Sequence, residues 1–108
     1  MARKNRPQTP DDRYLVARGV LKRCTNPGLD EKVRRLAVKK MMQARMAGDK
    51  DAVIAAKTVL GEAGPVWWDD GEPDVSGLEP LQTAYADWWL SLTDEERENG
   101  AASSGRKN

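Results

Sequence analysis

The chain contains no histidine, no phenylalanine and one cysteine, Cys24. Without histidine, an imidazole general base, the usual zinc sites and a Cys–His nucleophile are all excluded. One thiol cannot close an intramolecular disulfide, so the expectation is a reducing, cytoplasmic setting with Cys24 packed at a helix end. No apolar run reaches bilayer-spanning length and no signal-type apolar segment follows the basic start, so no membrane association is expected. The missing phenylalanine shifts aromatic burial onto four tryptophans and two tyrosines. Each tryptophan can bury about 150–250 Å², worth roughly 4–6 kcal/mol as an upper figure, which is a dominant contribution in a small domain.

A length of 108 residues fits one domain with a modest core, and 32% charged residues fit a helical, charge-rich surface. The net charge of +1 conceals a polarity. Residues 1–48 hold 13 Lys/Arg against 4 Asp/Glu, a balance of +9, whereas residues 49–108 hold 5 against 13, a balance of −8. Either the two halves meet different partners or one half packs against the other.

Along the chain, Met1–Gln8 carries Arg3, Lys4 and Arg6 without apolar periodicity and reads as a disordered basic arm. Thr9-Pro10-Asp11-Asp12 reads as a helix start, with a capping hydroxyl, proline at the first position and two carboxylates at the positive end of the dipole. The helix is expected to reach Arg23, with Tyr14, Ala17, Leu21 and Cys24 along one face, before the turn Thr25-Asn26-Pro27-Gly28. A second helix is expected from Leu29 or Asp30 to Ala47. Its apolar arc holds Leu29, Val33, Leu36, Ala37, Met41, Ala44 and Ala47, and its basic arc holds Lys32, Arg34, Arg35, Lys39 and Arg45. Met42 and Met46 interrupt the basic arc, and Lys40 falls among the apolar residues. Gly48 suits a C-terminal cap, Asp49 or Asp51 an N-terminal one, and Lys50–Leu60 completes a helical hairpin.

Gly61–Asp74 ends that hairpin and brings in Trp67, Trp68, Asp69 and Asp70, within an irregular stretch over residues 61–80. A fourth helix is expected from Pro80 to Leu92, with Leu81, Ala84, Tyr85, Trp88 and Leu92 on one face and Trp89 beside it. Thr93-Asp94-Glu95-Glu96 has the form of a capping box, and Asn99–Asn108 reads as a disordered tail. As a helix-turn-helix, Ala44, Gly48 and Ile54 fit the motif's small, turn and core positions, yet Lys50–Leu60 offers few groups to read base edges. As a calcium loop, Glu72, Asp74, Ser76 and Gly77 align, but Thr83 stands where the bidentate glutamate belongs. No metal and no cofactor is expected.

Leu60–Asp74, followed by Thr83-Ala84-Tyr85-Ala86-Asp87-Trp88, resembles a pattern in small uncharacterised bacterial proteins. More loosely, Asp12–Leu60 resembles small helical proteins encoded in phages, including terminase small subunits. That resemblance implies a DNA-binding helical region joined to a C-terminal segment that docks a partner.

The combined expectation is an all-α fold: a small bundle of about four helices over residues 9–98, clasped by the long Trp/Pro/Gly loop. The function expected is a non-enzymatic binding or adaptor protein. Its acidic, Trp-rich C-terminal half would dock a protein partner through Trp67, Trp68, Trp89, Asp69 and Asp70. Its basic second helix (Lys32, Arg34, Arg35, Lys39, Arg45) and the arm residues Arg3, Lys4 and Arg6 would contact nucleic acid or an acidic partner. Two alternatives stand beside it: a phage DNA-packaging or other DNA-associated accessory protein, and a homo-oligomeric structural subunit that pairs basic and acidic faces.

Overall fold

The computed structural model of the chain describes residues 6–101, which are mostly helical with one small two-stranded sheet. Two compact units divide them: Cys24–Pro73, and the residues through Arg23 together with those from Asp74 onward. The remainder of the expected basic arm, including Arg3 and Lys4, and residues 102–108 of the expected tail lie outside the described residues.

In the unit Cys24–Pro73, α1 (Glu31–Ala47) and α2 (Lys50–Leu60) form the expected hairpin. The Asp30 carboxylate accepts from the Lys32 and Val33 amides, and the Asp49 carboxylate accepts from the Ala52 amide. Each cap satisfies N–H groups that the helix itself leaves unpaired. Gly48 and Gly61 end the helices in the left-handed conformation, at φ of 72° and 86°. Ala37, Ala44, Ala56 and Leu60 are the buried residues of the two helices.

The loop after α2 is fastened to Cys24–Asn26. The Asn26 amide donates to the Leu60 carbonyl at 2.8 Å, and the Thr25 hydroxyl donates to Glu62 at 2.7 Å. The Trp67 indole N–H donates to the Cys24 carbonyl at 3.0 Å. Gly61 is required at this crossing, because a Cβ there would stand 2.9 Å from Trp67 Cδ1 and 3.1 Å from Asn26 Cβ. Trp68 is buried, donates its indole N–H to the Glu72 carbonyl at 2.8 Å, and meets Trp67 edge to face at 5.1 Å.

In the other unit, the helix expected over Thr9–Arg23 is replaced by a β-hairpin, β1 (Tyr14–Ala17) and β2 (Val20–Arg23). The strands are antiparallel, with Tyr14 opposite Arg23 and Ala17 opposite Val20. Arg18 and Gly19 form the two-residue connection with φ of 56° and 81°. Positive φ at both positions matches the right-handed twist of the flanking strands. Thr9–Asp12 is a turn rather than a cap, closed by the Asp12 amide on the Thr9 carbonyl at 2.9 Å, with Pro10 at the second position. Both hairpin edges find partners elsewhere in the chain. The Val16 amide donates to the Pro7 carbonyl at 2.9 Å, the Leu21 amide to the Leu78 carbonyl at 2.9 Å, and the Gly77 amide to the Leu21 carbonyl at 2.8 Å. These remote ladder bonds select strand over helix for a segment whose apolar residues fit either period.

The expected helix Pro80–Leu92 is broken. A 3₁₀ turn (Pro80–Gln82) is closed by a Glu79/Gln82 capping box, and α3 (Ala86–Ser91) follows. Between them Thr83 is extended; its hydroxyl donates to the Pro80 carbonyl at 2.8 Å and accepts from the Tyr85 amide at 3.1 Å. Those side-chain bonds replace the helical ladder. Leu81, expected inside, is exposed.

The Thr93/Glu96 capping box forms as expected, at 2.8 and 3.1 Å, and opens α4 (Asp94–Ala101). Asn99–Ala101 are therefore the last turn of a helix, because the Gly100 carbonyl accepts from Gly19 at 3.0 Å and Gly100 backs Trp89. Cys24 is half-buried after β2 and does not lie at a helix end.

Candidate functional site

The basic residues of α1 separate into two groups once the packed face is known. Ala37 and Ala44 mark the side that meets α2. At 3.6 residues per turn, Lys32, Arg35 and Lys39 fall on the opposite side, in one stripe that continues through Met42 and Met46. All five are exposed, Met46 at 88%. The three cations rise about 4.5–6 Å from one to the next and span about 10 Å. Successive nucleotides of one nucleic-acid strand rise ~3.4 Å along the axis, so the length of the stripe covers about three nucleotide steps.

Arg34 and Arg45 point to one flank and do not join the stripe. Arg34 is half-buried and bonds Glu31 at 3.0 and 2.5 Å, and Arg35 approaches the same carboxylate at 3.4 Å. The hydrogen bond from Arg34 holds the Glu31 carboxyl below its ordinary range. Among the described residues Lys32, Lys39 and Arg45 enter no ion pair, so their charge is available to a partner. Arg6 is half-buried at the start of the described chain.

Of the tryptophan and carboxylate candidates, Trp67, Trp68, Asp69 and Asp70 belong to the unit Cys24–Pro73 and Trp89 to the other. Both indole N–H groups of the Trp67–Trp68 pair are satisfied within their own unit. Asp69 is exposed, and Asp70 accepts from the Glu72 amide at 3.1 Å in a local turn. Trp88 and Trp89 are half-buried in an aromatic row, Tyr14–Tyr85–Trp88–Trp89, with centroid separations of 5.6, 6.4 and 6.2 Å. Trp89, unexplained by helical spacing, lies over Gly100, where a Cβ would stand 3.0 Å from its ring.

Two tyrosine–carboxylate locks escaped the sequence reading, since their members are about sixty to seventy residues apart. The Tyr85 hydroxyl donates to Asp11 at 2.6 Å. The Tyr14 hydroxyl donates to Asp74 at 3.1 Å and accepts from the Val75 amide at 2.9 Å. Asp74 also accepts from the Ser76 amide and hydroxyl, and buried Arg23 stands 3.5 Å away. Burial pushes the Tyr14 hydroxyl up to about 12 and the Tyr85 hydroxyl up as well, in both cases with the neighbouring carboxylate adding to it. Burial would raise Asp11 and Asp74, but the donors around them outweigh it and hold both below the ordinary carboxylate value. With so many donors committed to each carboxylate, the arrangement fastens turns to the hairpin rather than presenting a reactive group.

Among the described residues, no three Asp, Glu, Cys or His side chains gather to hold a metal ion. No helix among them is long and apolar enough to cross a membrane. Comparison of the chain with protein-family models, curated proteins and solved structures found no match.

Proposed function

We propose that the chain is a non-enzymatic binding protein of the cytoplasm whose outward stripe on α1 holds the backbone of a nucleic acid. One observation carries this reading: Lys32, Arg35 and Lys39 are exposed, aligned and turned away from α2. The +9 balance of residues 1–48, including Arg3, Lys4 and Arg6, adds long-range attraction for a polyanion. In this form the protein serves as a DNA-associated accessory factor, the role that the resemblance to phage terminase small subunits implies. Contacts of this kind neutralise phosphates without reading sequence, so affinity is expected to be nonspecific and strongly dependent on salt.

A labelled DNA duplex titrated by fluorescence anisotropy over a range of salt concentrations tests this. Three phosphate contacts give a log–log salt slope of about −3, and Arg35→Ala with Lys39→Ala reduces its magnitude by about 2. Absence of affinity at low salt, or a slope that ignores both substitutions, removes the nucleic-acid reading and leaves an acidic protein as the ligand of the stripe. A second reading, docking of a protein partner by the acidic C-terminal half, is favoured by Leu90, which is 62% exposed beside Trp88 and Trp89. A homo-oligomer pairing basic and acidic faces would reveal itself by a molecular mass that rises with protein concentration.

A further inference from the structure

The helical hairpin has a second surface, on the flank beside the basic stripe. Relative to the packed positions Ala37 and Ala44, helical spacing places Val33, Leu36, Lys40 and Ala47 of α1 on one flank. Relative to Ala56 and Leu60, it places Ala55 and Val59 of α2 on a flank turned the same way, because the two helices run in opposite directions. Val33, Leu36 and Val59 are 42%, 53% and 50% exposed. The sequence arc assigned Val33 and Leu36 to the core, and they are not there. The buried side chains of these two helices are three alanines and one leucine, and the flank residues are not among them. Along this flank an open apolar trough is left between them, with Ala47 and Ala55 small enough to admit a close neighbour.

Charge decides what fits the trough. Lys40 lies within it, and Lys32 and Lys39 border it on the α1 side. A second copy of the hairpin would set this lysine-rich border against itself, since α1 holds six Lys/Arg and the single carboxylate Glu31. We infer that the flank Val33–Leu36–Lys40–Val59 is the seat of an acidic amphipathic helix from a partner protein. That helix lays an apolar stripe into the trough, places a carboxylate on Lys40 and turns further carboxylates toward Lys32 and Lys39. The occupant completes a three-helix layer over residues that the chain leaves in water. It shares Lys32 and Lys39 with the outward stripe but seats on Leu36 and Val59, which the stripe does not use, so substitutions there test it separately from nucleic-acid binding.

The test uses the full chain and three dye-labelled synthetic helices of about 20 residues. One has leucine at helical spacing with glutamate elsewhere, the second replaces glutamate with lysine, and the third replaces leucine with serine. Fluorescence anisotropy is expected to show binding of the Leu/Glu helix, with each of the other two at least about tenfold weaker. Leu36→Ser with Val59→Ser weakens the Leu/Glu helix by at least about tenfold while leaving duplex-DNA affinity within about twofold; circular dichroism confirms that the variant is folded. Lys40→Glu lowers affinity for the Leu/Glu helix and raises it for the Leu/Lys helix. The inference is overturned if the Leu/Glu helix does not bind, or if the Leu/Lys helix binds equally well. It is also overturned if the wild type forms a dimer that the double serine variant abolishes, since a second copy then occupies the trough.

Discussion

Gly61→Ala isolates the contact that fastens the tryptophan loop to the helical hairpin. Gly61 has φ of 86°, and an added Cβ would meet Trp67 Cδ1 at 2.9 Å, Asn26 Cβ at 3.1 Å and the Asn26 amide nitrogen at 3.4 Å. Gly48 is the natural comparison, because it caps α1 with φ of 72° but an added Cβ there meets nothing within 4 Å. Both substitutions put alanine in the left-handed region, at about 1 kcal/mol. Gly61→Ala adds overpacking against an indole that is already hydrogen-bonded to Cys24, about 1–3 kcal/mol more. The expected destabilisation is therefore about 1 kcal/mol for Gly48→Ala and about 2–4 kcal/mol for Gly61→Ala. Urea unfolding, followed by far-UV circular dichroism and tryptophan fluorescence, should separate the two midpoints by roughly 1 M or more. A double-mutant cycle with Trp67→Ala sharpens the assignment. Removing the indole should return the cost of Gly61→Ala toward that of Gly48→Ala, leaving only the smaller encounter with Asn26. Equal costs for the two glycines in the wild-type background, or no coupling to Trp67, would refute the close approach and with it the account of how the loop is held.

Two further outcomes follow from the unit built on the β-hairpin. Asp11 and Asp74 titrate below their unfolded value of 3.8, so the stability they contribute is present above that value and is lost as pH falls through their folded values. Tyr14 titrates up to about 12 against an unfolded 10.0, so its contribution is complete below 10.0 and is lost as pH rises toward 12. Urea midpoints should decline at both extremes, and Tyr85→Phe should flatten the acid limb by removing the donor to Asp11. An acid limb unchanged by Tyr85→Phe would count against that lock. Arg97 holds α3 from its C-terminal end, with one guanidinium nitrogen at 3.4, 3.2 and 2.7 Å from the carbonyls of Trp89, Leu90 and Leu92. Arg97→Ala should cost about 1–3 kcal/mol and speed amide hydrogen exchange in Ala86–Ser91, while exchange in α1 stays unchanged.

The elements determined by the sequence alone are those closed by neighbours along the chain. Asp30, Gly48, Asp49, Gly61 and the Thr93/Glu96 pair satisfy helix ends within a few residues, so α1, α2 and the start of α4 are legible from local chemistry. The charge polarity and the basic content of α1 are equally plain in composition. Residues 14–23 were not legible, because Tyr14, Ala17 and Leu21 satisfy a helical period as well as Tyr14 with Val16 and Leu21 with Arg23 satisfy an alternating one. The carbonyls of Pro7 and Leu78, which accept from Val16 and Leu21, and the Gly77 amide, which donates to Leu21, decided between them, and no local rule anticipates the partners at Gly77 and Leu78, more than fifty positions away. The Arg18-Gly19 pair between apolar runs was the one local hint. Tertiary structure likewise divided the α1 arcs. Periodicity says which residues share a side of a helix, but the position of α2 turned Ala37 and Ala44 inward, aligned Lys32, Arg35 and Lys39 outward, and left Val33 and Leu36 in water. A helix has a face by virtue of its own sequence; which face is buried depends on what lies against it.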